Sequence, residues 1–389
     1  MTSLPDAFAV SMARLGPFTA VPRLSVAVSG GADSSALALL AQGWAAAQGG
    51  DVLALIVDHG LRLNSAAEAA LVAARLQACG IASQILTVSG LHQGPGLQER
   101  ARAARYEALG LAARAAGRPH LLLGHHEGDQ AETVAMRAAR GAGGAEGMPA
   151  WSARDDVVLL RPLLGLMPEE LRAYLRARGM EWVEDPSNLS RRFERVRFRQ
   201  DGAAPVATEA AAAARRAREI EAAGFLAVVA SFRPEGFAVL DAPAAPPAAL
   251  AALLRTIGGE THKPAQASVA ALAHRLRPAT LGGVRIVPAG RLGPGWLLCR
   301  EPAACAPPVA ARASVIWDRR FRLDMVPAPG SRFGALGADA ARFRKFNGLP
   351  TLVLRTMPCL RAPDDVLQVF PVPARFLSPA PVTSLPFYS

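Results

Sequence analysis

The chain has 389 residues, enough for two or three domains with their own cores, and a net charge of +11. Although 51% of it is hydrophobic, no apolar run of about 18 or more residues occurs, which argues against a membrane span, and the N-terminus does not read as a secretory leader. Its cysteines, Cys79, Cys299, Cys305 and Cys359, are scattered without a Cys-x-x-Cys pair, which disfavours a zinc ribbon, an iron–sulfur site or a disulfide framework. A cytoplasmic protein without membrane contact is expected. The positive charge favours a polyanionic partner, with nucleic acid first, although Lys263 and Lys345 are the only lysines and the Arg, Ala, Gly and Pro usage points to a coding bias.

In chain order, residues 1–22 read as a helix covering a sheet edge. Leu24–Val28 is short and rich in β-branched residues, the pattern of a buried parallel strand, and Ala36–Leu40 begins a helix. Between them lies Ser29-Gly30-Gly31-Ala32-Asp33-Ser34-Ser35, a turn of small residues whose glycines permit close backbone approach and whose helix N-terminus favours an anion such as phosphate. It lacks the Lys of a Walker A loop and the third glycine of the dinucleotide fingerprint.

A second buried strand, Asp51–Val57, ends in Asp58-His59-Gly60-Leu61-Arg62, polar residues where an open α/β sheet builds its ligand site. A helix over Ser65–Cys79 and an apolar run over Ile81–Val88 follow. Pro95 opens a helix on which Gln98, Arg102 and Arg105 share a face, a pattern equally expected of a solvated surface. The strand His120–Gly124 leads into His125-His126-Glu127-Gly128-Asp129-Gln130-Ala131-Glu132-Thr133. Crowding that many charges at a strand–helix junction suggests a charged ligand, and His125, Asp129 and Glu132 fall on one helical face. Gly141–Met148 reads as a loop, Val157–Leu164 as a strand closed by Pro162, and Pro168–Arg178 as a helix.

Trp182–Asn188 forms a turn, followed by Arg191, Arg192, Arg195, Arg197 and Arg199 interleaved with Phe193 and Phe198, a composition suited to phosphate contact and base stacking. Composition shifts near Ala203. An Ala/Arg/Glu-rich connector helix is expected over Ala207–Gly224, short strands over Leu226–Leu240, helices over Pro246–Ile257 and Pro264–Leu276, and a hairpin from Thr280–Val287 and Trp296–Cys299. Short strands fill Ser314–Ala374. The expected division is an α/β domain over 1–203, a connector with a small domain over 204–305, and a small C-terminal domain over 306–389.

The Ser29–Ser35 loop resembles the SGGxDS loop of the PP-loop ATP pyrophosphatases. With Asp58–Arg62, Leu123–Thr133, Arg161-Pro162-Leu163-Leu164 and Asp185-Pro186-Ser187-Asn188 following in order, the chain resembles the tRNA(Ile)-lysidine synthetases over about Arg23–Arg199. Two positions depart from that family: Gly128 replaces the first Asp of His-His-x-Asp-Asp-Gln, and Arg195-Val196-Arg197 stands for Arg-Asn-Arg.

The resemblance implies an α/β fold, a parallel doubly wound PP-loop sheet of the adenine nucleotide α-hydrolase type with a helical connector and smaller α+β C-terminal domains. It implies a ligase that adenylates the wobble cytidine of a CAU-anticodon tRNA(Ile) with ATP and Mg²⁺, then lets L-lysine displace AMP to give lysidine. It assigns Ser29, Gly30, Gly31, Ala32, Asp33, Ser34, Ser35 and Asp58 to ATP, Asp33 also to the metal, and Arg105, His125 and Arg197 to catalysis with Asp33. Asp129 and Glu132 go to lysine, and Arg191, Arg192, Arg195 and Arg199 to tRNA; a homodimer is left open. A tRNA 2-thiocytidine enzyme, a silent RNA-binding relative and a small-molecule synthetase are the alternatives. The missing Cys-x-x-Cys weighs against the first, the retained acidic and His positions against the second, and the Arg/Phe run against the third.

Overall fold

The computed structural model describes residues 3–60, 64–91, 94, 96–139, 147–154, 157–183, 209–260 and 264–377, and the chain divides into two compact units, Met1–Arg215 and Arg216–Ser389. No helix among the described residues is long and apolar enough to cross a membrane.

The first unit alternates helices α1 (Leu4–Leu15), α2 (Ala32–Ala46), α3 (Ser65–Ala78), α4 (Leu97–Ala115), α5 (Glu127–Ala139) and α6 (Pro168–Arg176) with strands β1 (Arg23–Val28), β2 (Asp51–Asp58), β3 (Ala82–Thr87), β4 (His120–Leu122), β5 (Trp151–Arg154) and β6 (Val157–Leu160). The strands form one sheet in the order β3-β2-β1-β4-β6-β5, parallel except where β5 pairs antiparallel with β6. Chain order reverses between β1 and β4, the place where an open α/β sheet opens a crevice beyond its carboxyl edge.

Alternate residues of each strand face opposite cores. Leu24 and Val26 of β1 and Leu122 of β4 pack with Phe8, Leu37, Leu76 and Leu171 from α1, α2, α3 and α6. Leu121 and Leu159 point the other way, with Leu55, against Leu109 and Ala113 of α4. Both faces are therefore covered, which is why β1, β2 and β6 are nearly continuous in apolar residues. At the amino edge, buried Arg118 donates to Asp51 Oδ1 and Oδ2 at 3.0 and 2.6 Å and to the carbonyls of Leu24 and Asp51 at 3.3 Å, tying β1 to β2 below the sheet.

α7 (Glu209–Val229) leads into the second unit. There β7 (Ala230–Arg233), β8 (Phe237–Leu240), β9 (Ala279–Leu281), β10 (Val284–Pro288) and β11 (Trp296–Arg300) form an antiparallel sheet in the order β7-β8-β11-β10-β9. The hairpin expected around Gly290–Gly295 is β10–β11. The apolar residues up to Val229, expected to start strands, instead complete α7. Ala238, Leu240 and Leu298 pack on α8 (Pro247–Gly258) and α9 (Gln266–Ala273). Phe237, Val239 and Cys299 pack on Val353 and Leu354 of α10 (Thr351–Leu354) and on Leu336.

Two further sheets follow: β12 (Val309–Ala310), β15 (Arg332–Ala335), β16 (Pro358–Arg361) and β17 (Leu367–Val369); and β13 (Ile316–Trp317), β14 (Phe321–Leu323) and β18 (Ala374–Phe376). Between these pieces lies a buried charge cluster. Asp318, only 2% exposed at its side chain, accepts from Arg300 at 2.9 and 3.1 Å, from Arg320 at 2.7 Å and from the Ala306 amide at 3.0 Å. Arg320, fully buried, also donates to the carbonyls of Gly236 and Thr356 at 3.4 and 3.3 Å.

Candidate active site

The turn after β1 is tight because it is knitted to itself. Ser34 Oγ accepts the Ser29 amide, donates to the Gly31 carbonyl, both at 3.1 Å, and lies 3.2 Å from Ser29 Oγ. Gly30 has φ +86°, and a Cβ there would sit 2.6 Å from Val72 Cγ2, so conformation and space both require glycine. The Val183 amide donates to the Gly30 carbonyl at 2.8 Å, pinning the loop from its other side. Gly31 caps α2 without a side chain, which leaves the first-turn amides facing outward with the helix dipole behind them. Ser34 and Ser35 are buried. The loop's contribution to an anion is therefore mainly backbone and dipole, with Ser34 spent on holding its shape.

The exit of β4 lies against this turn. A Cβ on Gly124 would come within 3.2 Å of the Ser34 backbone, so a side chain there would require the two segments to move apart by a few tenths of an ångström. It then enters α5 through a reciprocal cap. The Asp129 carboxylate accepts the His126 amide at 3.0 Å, and His126 Nδ1 accepts the Gly128 amide at 3.0 Å. With Nδ1 accepting, the ring proton stands on Nε2. That atom lies 3.5 Å from Asp33 Oδ2 and 3.8 Å from Asp129 Oδ2. The other Asp33 oxygen, Oδ1, is buried without a hydrogen-bond partner.

Glu132, one turn along α5, is 5% exposed, unlike a solvated acidic first turn. Gln130 bonds the Met148 backbone in both directions, donating to its carbonyl at 3.2 Å and accepting its amide. Arg215 of α7 donates to the carbonyls of Gly147 and Met148 at 3.2 and 3.3 Å.

On the far side of β1, Asp58 ends β2, accepts the Gly60 amide at 2.9 Å and is buried. A hydrogen bond from Ser65, then the Gly60 amide, holds its carboxyl below the ordinary value. His59 Nδ1 is buried without a hydrogen-bond partner. Burial, and secondly the Arg105 guanidinium nearby, push the His59 imidazole down, with Asp58 opposing. That influence sets Arg105, a half-buried residue of α4, beside the carboxyl end of β2. Arg102 instead stacks over Tyr106, 5.0 Å from the ring centroid, on the exposed part of the helix.

Of the residues singled out from sequence, Ser29–Ser35, Asp58, Arg105, His125, Asp129 and Glu132 thus lie along or next to the carboxyl ends of β1, β2 and β4. Arg191, Arg192, Arg195, Arg197 and Arg199, with the Asp185–Asn188 turn, lie outside the described residues. His126 was not singled out, although it is the imidazole that faces Asp33. Its signal was present: a polar residue three positions before an acid at a helix start is a capping pattern.

The sequence matches the PP-loop domain family over residues 8–203, half of the chain. It is 37% identical to a tRNA(Ile)-lysidine synthase of Mesorhizobium japonicum, covering 88% of this chain and 82% of that protein. A tRNA(Ile)-lysidine synthase of Rhizobium meliloti is also 37% identical, with 79% and 74% covered. Among solved structures, the U34-tRNA thiolase NcsA of Methanococcus maripaludis with its [4Fe-4S] cluster aligns at a TM-score of 0.40 and 18% identity, over 50% of this chain and 71% of that one. With a PP-loop domain in its first half and relatives matched across most of both lengths, the chain belongs to the tRNA(Ile)-lysidine synthase family.

Proposed function

We propose that the protein ligates L-lysine to carbon 2 of the wobble cytidine of a CAU-anticodon tRNA(Ile), using ATP, in the cytoplasm. The observation that carries this reading is the junction of the phosphate-type loop with the start of α5: an anion site and a carboxylate pair meet through Gly124 and His126. In the first step the cytosine O2 attacks the α-phosphorus of ATP, the bond to the bridging oxygen of the β-phosphate breaks, and pyrophosphate leaves. The amides of the Gly31–Ser34 turn and the α2 dipole would take up that charge. In the second step the lysine ε-amine attacks carbon 2, AMP departs, and the amine gives up a proton.

A divalent ion fits this site. Asp33 Oδ1, buried and without a hydrogen-bond partner, is a hard oxygen at the start of α2, and no group of three or more His, Cys, Asp or Glu side chains able to hold a metal occurs among the described residues. Mg²⁺ would then be held by Asp33 and by the phosphates themselves, the usual manner for this ion, and would neutralise charge on the departing pyrophosphate. Asp129 and the buried Glu132 supply carboxylates for the lysine ammonium groups, and a nearby carboxylate accepts the proton that the attacking amine sheds. Arg105, whose charge acts on His59, would neutralise the adenylate phosphate, with His125 as the acid–base group at the cytosine. Arg197 meets charge on the adenylate, and Arg191, Arg192, Arg195 and Arg199 meet tRNA phosphate. The regions over 204–305 and 306–389 are proposed to read the tRNA as a connector domain and a C-terminal domain.

The test is incubation of the folded protein with ATP, Mg²⁺, labelled lysine and a tRNA(Ile) transcript bearing CAU. Label in the RNA that requires ATP is the expected result; none, from protein with an intact thermal transition, overturns the reading.

A further inference from the structure

We infer that His126 is a positioning residue that couples the carboxylate of the ATP loop to the carboxylate of the lysine helix, and that Gly128 is what lets it do so. The inference rests on the reading above and assigns a role that sequence position alone did not suggest.

The imidazole is buried and oriented at both ends. Its Nδ1 accepts the Gly128 amide at 3.0 Å, and its own amide is held by Asp129 Oδ2 at 3.0 Å. This directs Nε2–H toward Asp33 Oδ2 at 3.5 Å and Asp129 Oδ2 at 3.8 Å. Both distances exceed a hydrogen bond, as expected of a site that tightens when substrate arrives. Drawing Asp33 Oδ2 toward the ring leaves Oδ1 as the atom with an open valence. One neutral donor between two acids also relieves their mutual repulsion while keeping each within reach of its own ligand.

Gly128 completes the arrangement. A Cβ at that position would stand 2.8 Å from His126 Cε1 and 3.1 Å from Nδ1, so any side chain forces the ring to move. The glycine that replaces the acid of the family pattern thus permits this ring placement. Filling the position displaces the ring from this placement.

A helix cap alone would account for the Nδ1 contact, so the test separates capping from coupling. Asn is among the best cap residues and places an acceptor near Nδ1, but offers nothing at the Nε2 position; Gln places an amide near Nε2. His126→Asn is expected to keep the wild-type melting temperature within about 2 °C while lysine KM rises and kcat falls, each about tenfold, as for removal of an orienting partner. His126→Gln is expected to recover most of the loss, and Gly128→Ala to reproduce the His126→Asn kinetics.

Wild-type kcat and KM in His126→Asn would overturn the inference, as would a loss that His126→Gln does not relieve. Histidine-selective ¹⁵N NMR reads the contact without turnover. The His126 Nε2 signal is expected to shift in both Asp33→Asn and Asp129→Asn, and its failure to move in either removes the coupling. Failure of the wild-type protein to form lysidine would instead overturn the functional reading, whatever the NMR result.

Discussion

Asp33 and Asp318 are both carboxylates beside basic side chains, one a third exposed and one buried, and they have opposite meanings. Asp318 in the second unit receives Arg300, Arg320 and the Ala306 amide, and each of its oxygens has two donors. Asp33 in the first unit is a third exposed, has one oxygen 3.5 Å from His126 and the other with no partner. A charge that the protein has fully satisfied is part of its structure. One that it leaves open at a helix N-terminus awaits something from outside.

That contrast is broken or sharpened by substitution. Asp33→Ala is expected to lower pyrophosphate release and lysine incorporation by at least about 10³-fold, the scale of losing a preorganised electrostatic group, with little change in melting temperature. Retained turnover would put the open oxygen outside the reaction. Asp318→Ala is expected to do the reverse. Two arginines left buried without their counter-charge cost about 3–5 kcal/mol, seen as a lower urea midpoint of the second unit. A midpoint unchanged from wild type would mean the cluster relaxes into water.

Asp129→Ala is expected to raise the lysine KM about tenfold while tRNA-dependent pyrophosphate release without lysine stays within about threefold; equal losses in both would move Asp129 into the first step. The smallest effect belongs to Asp51. Its hydrogen bond and charge contact with Arg118 depress its carboxyl, so its contribution is present above the ordinary carboxylate value of 3.8 and is lost as pH falls from there through the depressed folded value. Half exposed, it contributes less than about 1 kcal/mol. Asp51→Asn should therefore differ slightly from wild type at pH 7 and converge with it in acid, read by thermal melts across pH; a gap that widens in acid reverses the sign.

The nucleotide half of the fold was legible because each of its signals is local. A short β-branched run, two glycines and an amphipathic continuation dictate β1, its turn and α2 whatever else the chain does. His126 was obscured because periodicity counted from His125 assumes that the helix has already begun. α5 starts at Glu127, so cap geometry rather than the i, i+4 rule decides which imidazole faces Asp33. β5 carries no local signal, being a four-residue edge strand whose pairing with β6 is tertiary. The end of α7 is hidden for the same kind of reason: Gly224 suggests a stop and β-branched Val228 and Val229 favour strand on their own, but the Ala-rich helix before them propagates through the glycine. The satisfaction of Asp318 by residues from three separate segments has no counterpart in sequence spacing.

The Arg215 clamp has a practical corollary for cutting the molecule. The PP-loop family match closes at residue 203, yet the guanidinium that holds Gly147 and Met148, next to the Gln130 anchor of α5, arrives about a dozen residues later on α7. A fragment trimmed to the homology boundary would discard a fastener of the segment that anchors α5. The sensible place to divide the polypeptide lies beyond Arg215, with the opening turns of α7 retained on the N-terminal piece.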